Sequence, residues 1–286
     1  MLFCITFNSQ AQLLWKISGK DLVQPSYIFG THHLAPISIV DSIAGLKAAM
    51  NDIQQVYGEV STDEMESPDA VAKFQEAALL PGDITLNSLF TKEEYKSVAT
   101  SLKTLMGVDL KVFDKIKPTF INAQLSMYLA MKNLKDFDPQ QQLDTWFQKE
   151  AKRQGKLIGA LETIDYQLKV LYGSYTLERQ AHLLYCSIKH LDYMELQTKE
   201  MSAAYMNQDL DRLLEIMEEK TNDSCDSLPE EEDALIYKRN ANWAKQMPSL
   251  MKERPTMFVV GSGHLPGDRG VLNLLKKQGY TVEGIK

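Results

Sequence analysis

Two stretches decide the reading: Thr256-Met257-Phe258-Val259-Val260-Gly261-Ser262-Gly263-His264 and Ser26-Tyr27-Ile28-Phe29-Gly30-Thr31-His32-His33. Each is a short apolar run, β-branched and aromatic, that ends in a glycine with a histidine three residues on. The pattern strand–G-x-x-H thus occurs twice, about 230 residues apart. Glycine lets the backbone turn sharply at a strand end, so His33 and His264 can point back over a sheet edge. Ligands of open α/β sheets gather beyond the carboxyl ends of the strands. If the two strands are neighbours, both histidines reach one place.

Around these stretches, residues 13–18 (LLWKIS) and 26–30 (SYIFG) predict two strands joined by a Gly19-Lys20-Asp21 turn. Residues 41–50 carry an Asp cap and helical spacing, and 53–60 return to strand character before an acidic loop. From about 66 to 250 apolar residues recur at 3–4 spacing, giving helices over 69–79, 91–105, 117–133, 139–154, 176–190, 191–206, 208–220 and 229–246. One strand interrupts them at 156–161, after Gly155. The end reads strand 256–261, helix 269–278 and strand 280–285. The expectation is an α/β fold. Its central mixed sheet is built from N-terminal, middle and C-terminal strands, with a large inserted helical cap over about 66–250, in one domain spanning 13–286.

Composition narrows the function. Of 286 residues, 44% are hydrophobic and 24% charged, which are globular values, and the formal net charge is −7. Without a Lys/Arg-rich run, a nucleic-acid partner is excluded. No stretch nears the ~20 apolar residues of a membrane helix. Residues 1–12, MLFCITFNSQAQ, read as the tail of a truncated secretory signal peptide, with cleavage near Ala11-Gln12. That predicts an extracytoplasmic chain, periplasmic or secreted. Cys4 falls in the leader, which leaves Cys186 and Cys225 as a candidate disulfide or two unrelated thiols. Among 13 Met, we read Met127, Met131, Met201, Met206 and Met217 as core fillers. The run Glu230-Glu231-Glu232-Asp233 after Pro229 reads as a helix cap.

Val56-Tyr57-Gly58-Glu59 puts a carboxylate at the end of a third strand. Two imidazoles and one carboxylate suit a divalent metal such as Zn, Mn, Co or Fe(II), which can lower the pKa of bound water toward ~7. Alternatively Glu59 is the general base, while the histidines bind metal or polarise a carbonyl. One G-x-x-H alone is a weak signal; two on strand ends are a stronger one. His182 and His190 read as ordinary helix residues without an acidic partner in register, and His32 fills the variable place of its motif. Neither H-E-x-x-H nor G-x-S-x-G occurs.

LLWKISG, PSYIFGTHH, VYGEV, GKLIGALETIDYQL, KRNANWA and FVVGSGHLPGDRGVLNLLKKQGYTVE, in that order, resemble the TraB/GumN family, which includes the TIKI-type proteases. The resemblance covers 13–286. It implies an α/β fold shared with erythromycin-esterase-like and ChaN-like proteins. For some members it also implies Mn- or Co-dependent peptidase activity on extracellular signalling proteins. It places Gly30, His33, Glu59, Gly261 and His264 in the site, and Glu162, Arg239 and Asn240 at recurrent positions. Glu162 either reaches the edge where Glu59 lies or pairs with a backbone amide at a helix start. Arg239 anchors a substrate carboxylate, clamps Glu59 or Glu162 bidentately, or covers apolar surface. Asn240 binds a metal-held water or faces solvent. The leading expectation is a divalent-metal-dependent hydrolase (Mn, Co or Zn) acting on a peptide or protein. A non-catalytic binder of a peptide or haem-like ligand and a metal-independent esterase are the alternatives.

Overall fold

The computed structural model describes residues 12–286; the expected signal-peptide tail, with Cys4, lies outside the described residues. Six strands form one sheet: β1 (Leu14–Ser18), β2 (Ser26–Thr31), β3 (Gln55–Gly58), β4 (Leu157–Ala160), β5 (Thr256–Gly261) and β6 (Thr281–Gly284). Their spatial order is β4-β3-β5-β2-β1-β6. The first four run parallel, while β1 is antiparallel to both β2 and β6. The mixed α/β sheet is as expected from its N-terminal, middle and C-terminal strands. In β2 and β5 the residues Ile28, Phe29, Phe258, Val259 and Val260 are fully buried. Their unbroken apolar runs are those of strands covered on both faces.

Register then places the motifs. β2 and β5 are parallel neighbours, with Gly30 opposite Val260 and Thr31 opposite Gly261. β3 lies on the other side of β5, with Gly58 opposite Val259. The carboxyl ends of all three strands therefore meet at one edge. Buried Gln148 pins the chain after β3, donating to the Val60 carbonyl and accepting from the Thr62 N–H. A Cβ on Gly58 would lie 2.4 Å from the Gln148 amide nitrogen, so only glycine fits there.

The helical stretch has two destinations. The helices Leu143–Arg153 and Lys238–Glu253 pack on the sheet, bringing Phe147, Trp243 and Met247 into its core. Lys92–Met106, Pro118–Asn133 and Leu177–Lys189 bury Val98, Leu102, Leu125, Leu129 and Leu184 in a core of their own. A helix at Ile164–Gly173, capped by Thr163, was not anticipated. The expected helix 41–50 is a 3-10 turn, Ile37–Ser42, then a helix Leu46–Asp52, with Gly45 at φ 70° between them. The expected helix 229–246 consists of Pro229–Glu232, a π turn Asp233–Tyr237 and Lys238–Glu253.

Three side-chain expectations change. Met131, Met206 and Met217 are exposed rather than core fillers. Glu231 accepts the Leu228 N–H as a cap, but it also clamps Arg179 in a buried bidentate pair. His190 does have an acidic partner, Asp223 at 3.4 Å, because a loop rather than its own helix supplies it.

Cys186 and Cys225 are joined in a disulfide, 39 residues apart in sequence, tying the helix Leu177–Lys189 to the loop at 219–228. Closing a loop of that length stabilises by about 3–4 kcal/mol in the chain-entropy account. The double variant Cys186→Ser/Cys225→Ser is expected to lose about that much in urea unfolding, and wild type with reductant should fall to the same value.

Candidate functional site

The site is a network of buried charges at the ends of β3, β4 and β5. Arg239, near the start of the helix Lys238–Glu253, is its hub, with a side chain 4% exposed. Its Nη2 donates to Glu59 Oε2 at 2.5 Å and to Glu162 Oε2 at 2.9 Å, and its Nε donates to Glu162 Oε1 at 2.9 Å. Arg239 thus clamps both carboxylates rather than standing on the surface. Glu162, just past β4, also accepts from Trp243 Nε1 and pairs with side chains, not with a backbone amide. Glu59 accepts from the Gly261 N–H at 2.9 Å and from Gln167 Nε2 at 3.2 Å.

Hydrogen bonding sets the tautomer of His264. Arg239 Nη1 lies 3.1 Å from His264 Nε2. A guanidinium only donates, so Nε2 is the acceptor. On the other side His264 Nδ1 lies 2.7 Å from Asn240 Oδ1, and the Asn240 amide nitrogen donates to the Arg269 carbonyl. Both contacts put the proton on Nδ1 and the lone pair on Nε2, which is 3.9 Å from Glu59 Oε1. Asn240 is fully buried behind the ring, so it neither faces solvent nor is free to bind a water. Indole Trp243 covers the imidazole at 4.4 Å.

His33 stands at the rim, with a side chain 66% exposed. Its Nδ1 lies 3.3 Å from Asp144 Oδ2, and Asp144 Oδ1 accepts from Thr31 Oγ1. The glycines of the motifs supply room rather than unusual dihedrals. A Cβ on Gly30 would come within 2.8 Å of Leu265 Cδ1, and one on Gly261 within 3.4 Å of both Glu59 Oε1 and His264 Cδ2.

Electrostatics follow the burial. Burial pushes the Glu59 carboxyl up, but the His264 ring, the Arg239 guanidinium and the Gly261 amide outweigh it, holding it down to about 2. Burial lowers His264 to about 4 and His32 likewise to about 4. The hydrogen bond and charge of Asp144 raise His33 to about 9. Burial pushes Glu162 up against the pull of Arg239.

Donor chemistry and spacing give a divided answer about a metal. His264 Nε2 and Glu59 Oε1 face each other at a separation that suits two ligands of one ion. Each histidine has its Nδ1 against an oxygen, as metal-binding imidazoles do. Yet His33 does not bring its donor atom within 4.8 Å of both the others, and Arg239 touches both Glu59 and His264 Nε2. Among the described residues the tight donor groups lie elsewhere, around His182, His190, Asp223 and the two cysteines, whose sulfurs are joined to each other. Sequence reading missed Asp144, Gln167 and Trp243. Trp243 lies inside the KRNANWA stretch, whereas nothing local distinguishes Asp144 or Gln167.

A buried carboxylate–arginine–histidine network thus occupies the carboxyl edge of the sheet, where ligands of open α/β folds gather. The chain belongs to the TraB/PrgY/gumN family, whose model matches residues 13–284. It is 25% identical over 316 residues to metalloprotease TIKI2 of Danio rerio, covering 94% of this chain and 60% of that protein. It is 24% identical over 339 residues to the metalloprotease TIKI homolog of Nematostella vectensis, covering 98% and 68%. With metalloprotease TIKI1 of Homo sapiens it shares 25% over 316 residues, covering 94% and 61%. The chain thus spans about 60–68% of the length of these relatives. No solved structure gives a significant match. No described helix is long and apolar enough to cross a membrane.

The histidines make stability fall on both sides of pH 6.5. His264 and His32, lowered in the fold, contribute stability present above pH 6.5 that is lost as pH drops toward 4. His33, raised in the fold, contributes stability present below pH 6.5 that is lost as pH rises toward 9. Melting temperatures from pH 4 to 9 are expected to peak near 6.5, and His33→Gln should flatten the alkaline arm.

Proposed function

We propose that the chain is an extracytoplasmic, divalent-metal-dependent peptidase whose ion is held by His264, Glu59 and His33. The observation that carries this is the tautomer of His264, whose Nδ1 proton is held by Asn240 and whose unprotonated Nε2 lies 3.9 Å from Glu59 Oε1. Metalloprotease is the name its relatives bear, which supports a peptide or protein substrate. The Cys186–Cys225 bridge supports an oxidising compartment. A divalent ion held there would supply Lewis-acid polarisation of the scissile carbonyl and a lowered pKa for the attacking water.

The remaining roles belong to the protein. A general base works best with a pKa near the working pH. Held down to about 2, Glu59 suits a ligand better than a base. Arg239 holds Glu59 and Glu162 in place, and Asn240 holds the His264 tautomer. His33 would hold the ion from the rim, with Asp144 behind its Nδ1.

A second reading has one observation in its favour: Arg239 Nη1 already occupies His264 Nε2. Under it, the network hydrolyses an ester without metal, and activity resists chelator.

Two measurements test the leading reading. In the free protein Glu59 is ionised and His264 neutral at pH 7, while His33 carries a proton. Metal uptake should therefore release about one proton per ion, seen by calorimetry in buffers of different ionisation enthalpy. Release of none would remove His33 from the ligand set. Asn240→Ala, which frees the His264 ring, is expected to weaken metal binding about 10–100-fold by equilibrium dialysis against Mn, Co and Zn. Unchanged affinity, or a chelator-resistant activity, would favour the metal-free reading.

A further inference from the structure

We propose that the cleft running from His32 to the Cys186–Cys225 bridge is the groove for the substrate's peptide chain, and that its far end selects a cationic side chain. This rests on the peptidase reading above. The cleft holds about 480 Å³, within the range of ordinary ligand sites. Its near end adjoins the site, since His32 and Leu34, the chain neighbours of His33, line it. Met217 also lines it and covers the second motif, for a Cβ on Gly263 would lie 2.7 Å from the Met217 Sδ and Cε. The groove thus has one wall residue from the first G-x-x-H turn and one, Met217, packed against the second.

Its walls suit an extended peptide. Met194, Met201 and Met217 supply adaptable apolar surface, which accounts for a methionine left 37% exposed. Asn122 lines the groove, and its side-chain oxygen is buried without a hydrogen-bond partner. An acceptor left unpaired costs stability, and a peptide N–H would satisfy it.

Charge sets the preference at the far end. Among the described residues no Lys or Arg lines the groove, and the carboxylates that do are Glu219 and Asp226. Asp226 is already taken by Thr221 and by the Asn222 N–H. Lys220 points instead to Glu232 and the Ser227 carbonyl. Glu219 accepts a hydrogen bond from the Tyr193 hydroxyl, a neutral donor that leaves its charge in place, and is the carboxylate placed to meet a cation entering from the site.

The test uses fluorescent decapeptides of one apolar scaffold in which a single Lys, Gln or Glu is moved along the chain. Binding to the full chain is read by anisotropy with chelator present, so that no turnover intervenes. At one position Lys is expected to bind at least 10-fold tighter than Glu. Glu219→Gln should abolish that preference while leaving the Gln peptides unchanged. Asn122→Leu should weaken all peptides several-fold with melting temperature unchanged or raised, an outcome a merely structural asparagine would not give. Equal binding of Lys and Glu peptides, or a preference that survives Glu219→Gln, overturns the groove assignment. Hydrolysis of the same peptides with Mn, Co or Zn is scored separately. Lys-selective binding without any hydrolysis overturns the peptidase reading alone, and hydrolysis without charge preference overturns the groove alone.

Discussion

One buried guanidinium holds the edge of the sheet together. Arg239 binds the carboxylate after β3 and the carboxylate after β4, and it reaches the histidine after β5. Glu59 and Glu162 would repel each other across their shared edge without it. Removing one partner of a buried ion pair typically costs about 3–5 kcal/mol, because the remaining charge is stranded. Two carboxylates depend on Arg239, so the edge cannot exist in this form without the helix that carries it. Trp243, one turn further on, accepts the guanidinium over its ring at 4.8 Å and donates its own N–H to Glu162. The same turn of helix therefore supplies the charge, its aromatic lid and, through Asn240, the tautomer of His264.

How that helix presents Arg239 explains a local irregularity. Just before it the backbone makes a π turn over Asp233–Tyr237, and the Lys238 N–H bonds to the Asp233 carbonyl five residues back. An inserted residue of this kind rotates the C-terminal part of a helix relative to its N-terminal part. The N-terminal part here is held by Glu231 on Arg179, and the C-terminal part is held by Arg239, Asn240 and Trp243 on the sheet edge. Each has buried polar partners of its own, and a regular α-helix keeps a constant rotation per residue. Leu235, inside the π turn, offers its carbonyl to Arg239 Nη1 at 3.2 Å. The irregularity is thus part of the clamp.

Much of this was legible in the sequence. Apolar runs in 26–31 and 256–261 gave two buried strands, and their shared G-x-x-H endings placed both histidines at a strand's carboxyl edge before any pairing was known. What periodicity could not supply was the neighbour relation between elements. Thus the helix Ile164–Gly173, short and directly after a strand, merged with its surroundings, and Gln167 with it. Asp144 sits in the first turn of a helix more than a hundred residues from His33, where an acidic residue is already explained by the helix dipole. Asn240 and Arg239 were visible as residues, but their targets lie on other strands. The exposed methionines misled for a related reason: helical spacing says that a face is apolar, not that another element covers it.

The two histidines, alike in motif, differ in surroundings. His264 is walled in by Trp243, Arg239 and Asn240, so burial keeps it neutral and its ring is immobile. His33 is exposed, with one carboxylate behind it that favours the charged ring. The repeated glycine accounts for both, because at each strand end it lets another group approach the backbone closely. At Gly261 that group is Glu59, and at Gly30 it is the turn carrying Ser262 and Leu265. The second motif therefore packs onto the first. A site built this way has one preformed wall and one adjustable rim.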